Sequence, residues 1–122
     1  MYHHRPQYAR VGDPPAEEFR TLLDFDAAWR YNQAGADLGP DWAATPHPPG
    51  GDWQSGPGAL GFETNPDRLP LSLGTTLTSP FDNSPFVVTY YFETEFQLSA
   101  DELAVTNGLR VTHAIDDGAV FY

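Results

Sequence analysis

The chain has 122 residues, no cysteine, and six arginines with no lysine against 17 Asp and Glu, which gives a formal net charge of -11. That length holds one domain, and 40% hydrophobic with 14% aromatic residues is enough apolar surface for a core, so the chain is not a disordered tail. The charge disfavours nucleic acid and anionic membrane as docking surfaces, since both would repel the domain. The missing thiols exclude a disulfide framework, a thiolate metal site and a cysteine nucleophile, and no apolar run is long enough to span a bilayer as a helix. Cations, neutral sugars and proteins remain as partners. The 11 Gly and 12 Pro, spread between short apolar runs, point to an all-β fold with many turns.

In chain order, residues 1–20 read as a polar leader or linker, interrupted by Pro6, Gly12, Pro14 and Pro15, with one turn expected around residues 17–23. The start carries no signal-peptide core, and His3 and His4, being adjacent, are better read as solvated tail than as metal ligands. Residues 21–31 supply the first ordered element, a short strand with Trp29 and Tyr31 on one side. Residues 32–85 are dominated by turn formers, including Gly39-Pro40, residues 46–51, Gly56-Pro57-Gly58 and Ser84-Pro85. A stretch that long needs anchors. Trp42, Trp53, Leu60, Phe62, Leu69, Leu71, Leu73 and Phe81 are the candidates, acting as pegs into the core, and a short strand is expected at residues 74–79 before Pro80 stops it.

The clearest pattern spans residues 86–98. Phe86, Val88, Tyr90, Phe92, Phe96 and Leu98 fall on one face with Thr94, while Val87, Thr89, Tyr91, Glu93, Glu95 and Gln97 fall on the other. This is a long, half-buried strand whose aromatic face calls for a second layer, and a β-sandwich is the expectation. Ser99 and Glu102 then have capping-box spacing for a helical turn, and Asn107-Gly108 marks a tight turn. Leu109, Val111, His113 and Ile115 alternate with polar residues as a second half-buried strand, with His113 a core histidine. Asp116-Asp117-Gly118 is a turn, and residues 119–122 open another strand. The sandwich is therefore assigned to residues 21–122, and the expectation is that they form the front part of a larger domain.

Four motifs in order carry a resemblance: Trp29-Arg30-Tyr31; Trp53-Gln54-Ser55-Gly56 continuing to Leu60-Gly61-Phe62; Tyr90-Tyr91-Phe92 followed by Phe96; and Asp116-Asp117-Gly118 followed by Tyr122. Together they resemble the galactose-binding-domain-like jelly rolls found as accessory modules of large secreted bacterial proteins. The resemblance covers about residue 22 to residue 122. It implies a jelly-roll β-sandwich in a secreted or cell-surface protein, acting as a non-catalytic module that binds carbohydrate or mediates adhesion. The alternative is a purely structural spacer packing against a neighbouring catalytic domain.

The same resemblance points to sites. An Asp-Asp-Gly turn in protective-antigen-like adhesin domains holds calcium beside a sugar, so Asp116 and Asp117 are candidate calcium ligands, with Asp117, Trp42 and Trp53 meeting a neutral glycan. The plainer reading of this turn is that the Asp side chains bond backbone amides and Gly118 takes a positive φ. Asp24, Asp26, Asp37 and Asp41 form a second acidic group, but their spacing fits no EF-hand-type loop. For catalysis, the chain has no Gly-x-Ser-x-Gly elbow, no phosphate-cradling loop and no His-Glu-x-x-His motif. Glu93 and Glu95 share a strand face, and two solvent-facing glutamates explain them better than a glycosidase pair.

Overall fold

The computed structural model describes residues 19–82 and 84–122, so the leader, His3 and His4 lie outside the described residues except at its last positions. The described residues fall into two units, residues 22–96 and residues 19–21 with 97–122.

In the first unit the architecture is all-β. Strands β1 (Ala28–Asn32), β2 (Trp53–Pro57) and β5 (Tyr91–Glu93) form an antiparallel sheet in the order β2-β1-β5. A parallel pair, β3 (Leu60–Gly61) with β4 (Thr75–Thr76), stands beside it in the topology as a separate two-stranded ladder. Single 3₁₀ turns at Trp42–Ala44, Pro66–Arg68 and Pro80–Asp82 break up the long turn-rich stretch.

The central ladder fixes the faces. Asn32 lies opposite Trp53 and Tyr91, and Arg30 opposite Ser55 and Glu93. Directly opposed residues of an antiparallel pair share a face, so Arg30, Asn32, Trp53, Tyr91 and Glu93 occupy one side, and Trp29, Tyr31, Gln54 and Phe92 the other. Among the described residues, Tyr31, Trp53, Leu77 and Val87 are the buried apolar residues, accompanied by two buried polar ones, Asn32 and Ser79. Both polar groups are satisfied locally: Asn32 Oδ1 accepts from the Ala34 amide at 3.0 Å and Ser79 Oγ from the Phe81 amide at 3.2 Å.

Two strand expectations and the set of expected pegs are corrected in this unit. Of the strand expected over residues 86–98, only Tyr91–Glu93 is laddered. Ahead of it the faces are reversed, for Val87 is 8% exposed while Phe86 is 62% and Val88 91% exposed. The cause is local: the Val87 amide donates to the Pro80 carbonyl at 3.2 Å and its side chain packs on Gly35, which turns Val87 inward. The strand expected at residues 74–79 shrinks to two residues. The expected pegs divide, with Trp53 buried, Trp42, Leu60, Leu69, Leu71 and Leu73 half-buried, and Phe62 and Phe81 exposed.

The second unit holds helix α1 (Ala100–Val105). The expected capping box is present: Ser99 Oγ accepts from the Glu102 amide and the Glu102 carboxylate from the Ser99 amide, both at 3.1 Å. Arg20 pairs with the Glu102 carboxylate, and the Arg110 guanidinium sits 4.2 Å from the centre of the Phe19 ring. The backbone bond from Ser99, opposed by some desolvation and assisted by Arg20, holds the Glu102 carboxyl below its ordinary range. Asn107-Gly108 does not form a turn, and residues 109–115 and 119–122 form no strand. Leu109, Val111, Ile115, Val120 and Phe121 are exposed, and so is His113, which is therefore not a core histidine. A period of two is only a pattern until a neighbouring backbone supplies the ladder.

Candidate functional site

The first face of the central sheet is where side chains of differing chemistry converge. Asn32 ends β1, and the chain then runs through the Trp42–Ala44 turn and a proline-rich segment before entering β2 at Trp53. An isolated bridge between Gly50 and Trp53, with amide-to-carbonyl distances of 2.9 and 3.0 Å in the two directions, closes the segment just before β2. Gly50 and Gly51 hold φ of 146° and 58°, in the region that favours glycine.

This path brings four rings together. His47 stacks on Trp53 with ring centres 4.4 Å apart and planes 12° from parallel. Trp42 is stacked at longer range, 6.5 Å from Trp53 and 6.4 Å from His47, and meets Tyr91 edge-on at 4.9 Å. Offset and edge-on contacts of this kind add about 0.5–1.5 kcal/mol each beyond area burial. The Tyr91 hydroxyl accepts from the Leu38 amide at 3.2 Å, tying the same segment to β5.

Beneath the rings lies Glu93, with a side chain 14% exposed. Its Oε1 accepts from Arg30 Nε at 2.8 Å and from the His47 amide at 2.6 Å, and its Oε2 lies 3.0 Å from His47 Nδ1. Arg30 reaches on to Glu95 at 2.9 Å. Burial pushes the Glu93 carboxyl upward, but the bonds from the His47 ring, Arg30 and the His47 amide outweigh it and hold the group below the ordinary glutamate range. The Glu93 bond, against some desolvation and with help from Glu95, raises the Arg30 guanidinium further above its already high value. Chemically the arrangement is a carboxylate whose acceptor capacity is taken up by three donors, locking a loop histidine and a strand arginine in place.

The predicted site residues are divided by the fold. Trp42 and Trp53 come together, but as members of this stack: Trp53 is 9% exposed and one of its faces is covered by His47. Asp116 and Asp117 belong to the other unit and are exposed. The turn there puts Asp117, with φ of 75°, and not Gly118, in the left-handed region. Among the described residues, no group of three or more His, Asp or Glu side chains gathers where it could hold a metal. Calcium takes six or more oxygens, and two exposed neighbouring carboxylates do not make such a set. Asp24, Asp26, Asp37 and Asp41 do not converge either.

Glu93, expected to face solvent, has a side chain only 14% exposed, and Arg30 and His47 are the residues sequence reasoning missed. Arg30 and Glu93 lay in recognised motifs, and their like parity on paired strands was the available signal. His47 sits in an aperiodic proline-rich segment that carried no signal. The chain matches no protein-family model, no characterised protein and no solved structure with which it was compared.

Proposed function

We propose that the chain is a non-catalytic accessory module, a jelly-roll β-sandwich of the galactose-binding type in a secreted or cell-surface protein, working as a structural spacer that packs against a neighbouring domain of the same polypeptide. The observation that carries this reading is the fate of Trp42 and Trp53. A glycan platform needs an indole face open to solvent, whereas these rings stack on each other and on His47 and fasten the segment between β1 and β2 to the sheet. Exposed Phe81, Phe86 and Val88 in the same unit supply apolar surface of the kind that packs against another domain.

Calorimetry against a panel of neutral glycans tests the choice between spacer and carbohydrate binder. The spacer reading expects no saturable heat and tryptophan emission that is blue-shifted and unmoved by sugar. Saturable heat with any glycan, lost in the Trp42→Ala variant, would replace it with the carbohydrate-binding reading.

A further inference from the structure

The dipeptide Asn107-Gly108 has the sequence of a tight hairpin turn, yet it forms none. Helix α1 ends at Val105, Thr106 caps it with φ of -80° and ψ of 120°, and Asn107 and Gly108 follow in neither helix, strand nor turn, both exposed. Among the described residues, a Cβ placed on Gly108 would meet no atom within 4 Å and the Gly108 amide donates no backbone hydrogen bond, and its backbone has the wide conformational freedom of glycine.

We propose that Asn107 is a self-modification site, at which the chain deamidates through a succinimide. The Gly108 amide nitrogen, giving up its proton to base, attacks the Asn107 side-chain carbonyl carbon. A ring N–C bond forms as the bond to the side-chain nitrogen breaks, and that nitrogen leaves as ammonia. Water then opens the ring at one carbonyl or the other, leaving aspartate or isoaspartate. No oxidant or reductant takes part, and water is the one co-reactant.

The selectivity follows from the surroundings of the chain's four asparagines, at positions 32, 65, 83 and 107. Asn32 is 3% exposed within β1, and its side-chain oxygen is held by the Ala34 amide. Asn65 precedes Pro66, whose nitrogen has no proton to lose and cannot close the ring. Asn83 lies outside the described residues and is followed by Ser84, whose side chain crowds the attacking nitrogen where Gly108 has none. Asn107 alone combines exposure, release from a ladder and a following glycine. Each event adds one negative charge to an already acidic chain. The isoaspartate product also inserts a methylene into the backbone just before the alternating residues 109–115, displacing them along the chain. An isoaspartyl carboxyl methyltransferase is the class of enzyme that would recognise that product. This inference does not rest on the spacer reading.

The test is to hold the full chain at body temperature in mildly alkaline buffer and follow it by intact mass and peptide mapping, with methyl transfer by an isoaspartyl methyltransferase as a second readout. The expected result is the mass gain of an amide becoming an acid, located at residue 107, with methyl acceptance growing alongside it. Asn107→Gln abolishes both signals and Gly108→Ala slows them several-fold, while far-UV circular dichroism confirms that both variants are folded. A gain located at Asn83, a rate unchanged in Asn107→Gln, or no gain at all would overturn the proposal.

Discussion

Glu93 shows how one side chain can be read correctly in place and wrongly in role. Its parity on the strand is as the sequence implies, but its neighbours convert a solvent-facing glutamate into the anchor of a loop. Three donors converge on it, two of them from His47. Replacing the carboxylate by an amide puts an N–H among those donors, so Glu93→Gln is expected to cost about 2 kcal/mol, the scale of hydrogen bonds to a charged group. Denaturant midpoints at neutral pH check this. The sign of the pH dependence follows from the lowered carboxyl. Its folded value lies below the ordinary 4.5, so the stabilisation is fully present above that value and is lost as the pH falls through the lower, folded one. The Gln variant should therefore show a shallower loss of stability on acidification than the parent. An acid limb of equal steepness in both proteins would mean that Glu93 does not carry the linkage.

At the level of elements, a close approach of backbone at Gly74 organises the region after β2. The Gly74 amide donates to the Ala59 carbonyl at 2.8 Å, and a Cβ on Gly74 would run into the backbone carbonyls of Pro57 and Gly58. Backbone cannot move aside as a flexible side chain can, so Gly74→Ala is expected to cost about 1–3 kcal/mol, the range for overpacking, and to weaken protection of the β3 and β4 amides in hydrogen exchange. Unchanged protection there would contradict the packing described. The helix offers a contrast. Its capping box was legible from Ser99 and Glu102 alone, because a cap is satisfied by residues three positions apart and needs nothing distant. Residues 86–90 and 109–115 were misread for the opposite reason. Their alternation is genuine, but which face turns inward and whether a ladder forms depend on partners elsewhere in the chain: Gly35 and Pro80 for Val87, and none among the described residues for Leu109, Val111 and Ile115. Trp29 and Tyr31 were legible because β1 is central, with β2 and β5 on its two sides.

For the whole molecule, the all-β class came through from glycine, proline and period-two patterning, since turns and pleats leave local marks. The candidate site did not, because it is assembled from β1, β5, β2 and a segment without periodicity, and only the last of these brings His47 over the sheet. The role of the two indoles depends on that assembly: if Trp42 and Trp53 are held among His47, Tyr91 and the sheet, they serve the fold and are withdrawn from ligand binding. The direct measurement is the proton NMR spectrum of the His47 ring in the intact chain, assigned by loss of its signals in His47→Gln. A ring stacked 4.4 Å from Trp53 lies in the shielding region of the indole, so its carbon-bound protons should be displaced well upfield, with cross-relaxation to the Trp53 ring. His47 protons at the positions of an unstructured peptide, with no cross-relaxation to tryptophan, would contradict the account.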